Sequence, residues 1–330
     1  MPPALLGYSN FWHYGEMGVS CQACIFLRLH VKVLHLNRDC AAGLRSVMRH
    51  GKSKSITILI TVVLFMDDNS FRQLLSRLGL SWQGYAKVRK GVKKRIGRHM
   101  QKLGLLTIDD YFQAMTDPEI LKDVERMMSV SISRFFRDRN LWRTLEEEIL
   151  PGIIAGNTGK IDVWSAGCAL GQEAYSVAIT WETLKTKRPA LPELRIRATD
   201  INPDYLRKAK LGVYHRSSLK RLPDAIKVIH FHACEDGESY CAADHLKKYI
   251  VWEAHDLMRE QPPAKAFQII FLRNNLFTYY RREGVSSVFL NVLDSLDGGG
   301  FLIIGSRERP PSQTYTLSPF KGSSYIFQKT

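Results

Sequence analysis

Asp200 ends a short apolar run, residues 194–198 followed by Thr199, and its carboxylate arrives where open α/β sheets bind nucleosides, at the carboxyl end of a strand. The stretch before it has the grammar such a site needs. Ile161-Asp-Val-Trp164 feeds the small residues Ser165, Ala166 and Gly167. After Gly171 the apolar positions Ala174, Val177, Ala178 and Trp181 take helical spacing, which predicts strand, tight turn and helix. Gly167 and Gly171 either let a ligand approach the backbone or only shape the turn, and Glu173 is either a ligand contact or a charge in the cap region. Asp256-Leu257 follows another strand-like run, and Arg273-Asn274 stands where the apolar run FQIIFL stops, so further polar groups reach the same sheet edge. Arg137, beside Phe135 and Phe136, is either a carboxylate clamp or a partner of Asp138. Groups of this kind bind and orient a ligand, and no His/Cys/Asp metal-ligand cluster accompanies them.

The elements that hold these groups divide the chain in three. Residues 1–65 read as an atypical extension outside the compact fold, with neither a sustained helical stripe nor a catalytic cluster. Residues 66–150 read as a small helical domain. Asp67, Asp68, Asn69 and Ser70 offer capping oxygens before Phe71, Leu74, Leu75 and Leu78, and Tyr85, Val88, Val92 and Ile96 form an apolar stripe on a very basic segment. Gly91 and Gly97 weaken that segment as one helix, each by roughly 1 kcal/mol relative to Ala. Thr107 with Asp110 reads as a capping box, Asp117-Pro118-Glu119 as a helix start, and Pro151-Gly152 as the end of the helix carrying Trp142, Leu145 and Ile149. Residues 151–330 read as the α/β domain. It carries a small antiparallel β insertion at about 215–250, built from IKVIHF, a turn at Glu235-Asp-Gly-Glu238 and KKYIVWEAHD. Helix YYRREGVSSVFLNVLDSL, strand FLIIG and the closing antiparallel segments TYTLSP and SSYIFQK follow.

Composition sets outer limits. With 330 residues, 45% hydrophobic and 24% charged, the chain has enough apolar material for one large core or two moderate ones. Its net charge of +15 favours anionic partners. Eight cations crowd residues 87–102 without one acid, the pattern of a docking face; no base-stacking aromatic pattern accompanies them, which disfavours nucleic acid. Six cysteines are too sparse for a disulfide scaffold, Cys21-x-x-Cys24 has no second CxxC to complete a zinc site, and the setting expected is the cytoplasm. The apolar run from Ile56 is shorter than the roughly 20 residues a membrane helix needs, so no membrane insertion is expected.

Five segments, SISRFFRD, VWSAGCALGQEAYSVAI, RATDINPDYLRKAKLGVY, FLRNNLFTYY and GGGFLIIG, stand in an order that resembles the chemotaxis receptor glutamate methyltransferases, the CheR family, over residues 67–329. The resemblance implies a helical receptor-docking domain at 66–150 joined to a Rossmann-like methyltransferase domain at 151–330. It also implies S-adenosylmethionine as cofactor and methyl esters on glutamates of chemoreceptor cytoplasmic helices as product. The basic helix at 87–102 would be the docking element, with no metal, and a monomer is the family default. Ser131, Ser133, Arg137, Gly167, Gly171, Glu173, Asp200, Asp256, Leu257, Arg273 and Asn274 match the cofactor-binding positions, and Arg137 also stands near the transferred group.

Departures mark the pattern. Ser131 and Ser133 replace Asn and Thr, Asp256 replaces Asn, Leu272 replaces Cys, and Thr278 occupies the position of the family's active-site tyrosine, with Tyr279 adjacent. Thr278 and Tyr279 are therefore both candidates for positioning the acceptor. The alternatives are a diverged methyltransferase with another acceptor or a catalytically weak cofactor-binding signalling protein. The implied reaction needs no strong base, because a glutamate with a pKa of about 4.3 is already ionised near neutral pH. It needs alignment and exclusion of water.

Overall fold

Asp67 caps the first described helix by accepting the Ser70 N–H at 2.6 Å, and α1 (Asp68–Arg77) then buries Phe71, Leu74 and Leu75 on one face. The computed structural model describes residues 66–156, 159–188, 190–311 and 316–330. The extension at 1–65, with its Cys21-x-x-Cys24 pair, lies outside the described residues. The basic stretch divides into α2 (Trp82–Tyr85) and α3 (Arg89–Lys102), and α3 runs unbroken through Gly91 and Gly97. Burial of Val92, Ile96 and Met100 outweighs the propensity cost of two glycines. Thr107 caps α4 (Ile108–Ala114) through the Asp110 N–H, and Asp117 caps α5 (Pro118–Met128) through the Glu119 N–H at 2.8 Å. These helices share a core of Phe71, Ile96, Tyr111 and Val124.

Pro151 does not end the helix expected to stop there. α6 (Arg139–Thr144) passes through a π-helical turn, Leu145–Ile149, into α7 (Leu150–Gly156). Opening the hydrogen-bond register to five residues just before a residue without an N–H lets the helix continue.

The central sheet is mixed, in the order β6-β2-β1-β7-β8-β10-β9. Strands β1 (Lys160–Ala166), β2 (Glu193–Asp200), β6 (Ile250–Ala254), β7 (Phe267–Leu272) and β8 (Leu296–Ile304) run parallel; β10 (Ile326–Lys329) pairs antiparallel with β8 and with β9 (Leu317–Pro319). α8 (Gln172–Lys187) crosses from β1 to β2, whereas β7 lies on the other side of β1, so strand order reverses beside β1. Side chains on β1 alternate accordingly: Ile161 and Val163 enter the core under Trp181 and Leu184, Trp164 and Ala166 the core under Phe289 and Val292.

Between α9 (Pro203–Leu211) and β6 sits a three-stranded antiparallel sheet of β3 (Val213–His215), β4 (Phe231–Ala233) and β5 (Ser239–Ala242), in the order β3-β5-β4. IKVIHF, expected to be extended, is mostly helix α10 (Asp224–His230), and only its Phe231 joins β4. Val228 and Ile229 are 82% and 62% exposed, so the run that reads as a buried strand instead faces outward. Cys234 and Cys241 bridge the β4–β5 hairpin, a pairing that the sparse cysteines did not announce. Among the described residues no helix is long and apolar enough to cross a membrane.

Candidate active site

The reversal of strand order opens a cavity of about 590 Å³ at the carboxyl ends of β1, β2 and β7, within the range of roughly 300–1,000 Å³ typical of small-molecule sites. After β1 the chain turns at Gly167, φ +78°, and the N–H groups of Gly167 and Cys168 both donate to the Thr199 carbonyl, at 2.8 and 2.9 Å. This ties the turn to the end of β2. Asp200 is 8% exposed and lines the cavity. Its two carboxylate oxygens accept the N–H groups of Ala169 and Asn202, each at 2.9 Å. Burial pushes the Asp200 pKa up, against the downward pull of these two N–H groups.

The walls fit a nucleoside cofactor. A Cβ at Gly167 would come within 2.2 Å of the Asn275 side-chain nitrogen, and its φ of +78° also favours glycine at this corner. The residues Ser129 and His255 also line the cavity, and among the described residues Ser129 Oγ and His255 Nδ1 are buried without a hydrogen-bond partner. Buried polar groups of this kind call for a ligand that donates and accepts. Of the expected site residues, Gly167, Asp200, Asp256, Leu257, Asn274 and Tyr279 line the cavity.

Ser131, Ser133, Arg137, Gly171, Glu173, Arg273 and Thr278 do not. Gly171 sits where a Cβ would strike the Trp252 ring at 2.6 Å, which is a packing requirement. Arg273, with its side chain 3% exposed, pairs with Glu173 at 3.0 Å and with Asp138, and donates to the Arg137 carbonyl at 3.3 Å. Glu173 also accepts the Ser165 hydroxyl at 2.7 Å. The arginine thus binds the start of α8 to the Arg137-Asp138 link as one network behind the cavity. Among the described residues the Arg137 guanidinium makes one hydrogen bond, 3.5 Å to the Ile132 carbonyl.

The segment after β7 separates the two candidate hydroxyls. Thr278 Oγ1 donates to Glu308 Oε1 at 2.5 Å, while Tyr279 and Tyr280 line the cavity. Backbone contacts hold this segment to the helices: the Ser81 N–H donates to the Tyr279 carbonyl at 2.8 Å, Leu80 pairs with Tyr280, and the Arg281 N–H donates to the Gly79 carbonyl at 2.9 Å. The Tyr279 ring packs on Tyr85, with centroids 5.1 Å apart. Burial raises the Tyr279 pKa, the Arg137 charge pulls it down and Glu308 pushes it up. Tyr280 is raised by burial and by the Asp256 and Glu125 carboxylates. On the cavity wall, Arg259 donates to Glu125 of α5 at 2.8 Å and to Asp256 at 2.9 Å, joining the helical segment to the sheet edge.

Glu308, Tyr280, Ser129, His255 and Gly84 were missed in the sequence. Glu308 stands four residues past the end of β8, whereas Asp200 is the last residue of β2, so the rule that found Asp200 points only to its neighbourhood. Nothing local marks Gly84, whose Cβ would lie 2.1 Å from the Thr278 carbonyl oxygen.

A sequence model described as CheR methyltransferase, SAM binding domain, matches residues 131–326. The chain belongs to the CheR methyltransferase family. A chemotaxis protein methyltransferase of Listeria innocua is 32% identical over 241 residues, 72% of this chain and 88% of that protein. One of Vibrio cholerae is 33% identical over 183 residues, 55% of this chain and 66% of its own. Among solved structures, a TehB-like SAM-dependent methyltransferase from Corynebacterium glutamicum aligns with 58% of this chain and 96% of its own, at 14% identity and a TM-score of 0.31. The CheR match takes in every expected site residue, from Ser131 to Tyr279, while α1–α5 precede it.

Proposed function

We propose that this protein transfers the methyl group of S-adenosylmethionine to glutamate side chains on chemoreceptor cytoplasmic helices. The observation that carries this reading is the cavity at the β1–β2–β7 edge, with the buried Asp200 on its wall, in a chain of the CheR family. The cofactor supplies a sulfonium methyl group open to in-line attack by a carboxylate oxygen. Asp200 accepts the ribose hydroxyls on lone pairs left beside its two backbone N–H bonds, and Ser129 and His255 meet the remaining polar edge. Tyr279 orients the acceptor carboxylate, with the Arg137 charge acting on Tyr279 from outside the cavity lining, and the carboxylate's own charge makes a base unnecessary.

The helical segment supplies the docking face. Of the cations between 87 and 102, Arg89 and Lys93 pair with Asp68, and Arg95 donates to the Met127 and Ser129 carbonyls. Lys90, Lys94, Arg98 and Lys102 are exposed at four-residue intervals, one stripe along α3. A stripe of this sign fits an acidic receptor helix by complementary charge.

Incubation with labelled methyl donor and a cognate receptor signalling domain is expected to leave base-labile label on glutamate. Turnover without receptor labelling would favour another acceptor. Cofactor binding without turnover would favour a signalling role, the reading to which the threonine at 278 lends weight.

A further inference from the structure

Glu308 is 5% exposed, and no Lys, Arg or His pairs with its carboxylate among the described residues. Hydrogen bonds alone satisfy it. Oε2 accepts the N–H groups of Asn274 at 2.8 Å and Gly305 at 2.7 Å, and Oε1 accepts the Thr278 hydroxyl at 2.5 Å. Two of these three donors come from the segment after β7, the one that carries Asn274, Asn275, Tyr279 and Tyr280 onto the cavity wall. Asn274 is held at φ +52°, a left-handed conformation that costs free energy in a residue with a side chain, and its N–H bond to Glu308 helps hold it there. From the far side, Gly305 comes so close that a Cβ there would lie 2.7 Å from Glu308 Oε2. Gly84 backs the Thr278 carbonyl more closely still, with a Cβ there 2.1 Å from its oxygen.

We infer that Glu308 is a positioning residue: through Asn274 and Thr278 it fixes the segment after β7 so that Tyr279, and not Thr278, presents a hydroxyl to the acceptor. Thr278 then serves as the short hydroxyl that reaches Glu308, and its departure from the family tyrosine is matched by the phenol of the next residue. The catalytic part of this inference rests on the methyl-transfer reading; the structural part does not.

The test uses the full chain with four variants, read by turnover, cofactor affinity and ¹³C-tyrosine NMR, with the Tyr279 resonance assigned from Tyr279→Phe. Thr278→Val is expected to displace the Tyr279 resonance and to lower kcat by about tenfold, the scale of one hydrogen bond to a charged group, with cofactor affinity within about twofold. Glu308→Ala is expected to lose at least as much. Glu308→Gln can keep the geometry, its oxygen accepting both N–H groups and its amide donating to Thr278, so it should stay within about threefold of the parent. Tyr279→Phe should lower kcat more than Thr278→Val does.

A Gln variant as inactive as the Ala variant would overturn positioning in favour of a role for the charge itself. A Tyr279 resonance unmoved by Thr278→Val, or a fully active Tyr279→Phe, would also overturn it. If the parent protein transfers no methyl group while the resonance still moves in Thr278→Val, the positioning stands and the methyl-transfer reading falls. Should Glu308→Ala fail to fold, Thr278→Val and Glu308→Gln still decide the matter.

Discussion

Asp200 is subject to opposed influences: burial raises its pKa above the ordinary 3.8, and the N–H groups of Asn202 and Ala169 lower it. A ribose hydroxyl is best accepted by the ionised form, so cofactor affinity is expected to be complete at neutral pH. It should fall on acidification through a midpoint above 3.8, which calorimetric titration across pH would locate. Asp200→Ala should weaken cofactor binding by about 10- to 100-fold, and unchanged affinity would reject the ribose role. Asp200 was legible because a strand pattern ends on it. The pairing of Glu173 with Arg273 was not, since the two stand 100 residues apart and each alone reads as facing the cofactor. Glu308 was missed because it lies four residues beyond β8 and its three donors come together only when β7 and β8 lie side by side.

At the scale of elements, Gly84 in α2 decides whether the segment after β7 can seat. Gly84→Ala places a Cβ about where the Thr278 carbonyl oxygen lies, and overpacking of this kind costs about 1–3 kcal/mol. Thermal denaturation should show that loss together with reduced turnover. In α3, burial lowers the pKa of His99, whose Nδ1 lies 2.8 Å from the Tyr111 hydroxyl. A histidine with a depressed folded-state pKa contributes stability above its unfolded value of 6.5, and that contribution is lost as pH falls from there through the folded value. Denaturation between about pH 7 and about pH 5 should therefore show a shallower pH dependence in His99→Asn than in the parent protein. The amphipathic helices were legible because their caps and apolar spacing agree. IKVIHF was misread because β-branched residues favour strands in general, while here tertiary context leaves Val228 and Ile229 in solvent.

For the whole molecule, the +15 charge is unevenly used: α3 commits Arg89, Lys93 and Arg95 to internal contacts and leaves Lys90, Lys94, Arg98 and Lys102 exposed in one stripe. The order of strands was legible only as a family likeness, because no local pattern tells β1 to lie between β2 and β7. The bridge from Arg259 to Glu125 and Asp256 lies on the cavity wall and joins the helical segment to the sheet edge. Glu125→Gln should speed cofactor dissociation several-fold with little change in thermal stability, as expected for an exposed ion pair, and stopped-flow displacement would measure it.

The rungs between residues 79–81 and 279–281 also bear on how such a chain can change over generations. Two stretches that share backbone hydrogen bonds and a gap the width of a glycine cannot drift independently, because a larger residue at 84 must be answered by a shift at 278. A graft that exchanges the helical segment or the sheet edge alone is therefore expected to lose these rungs, and exchanging both together to keep them.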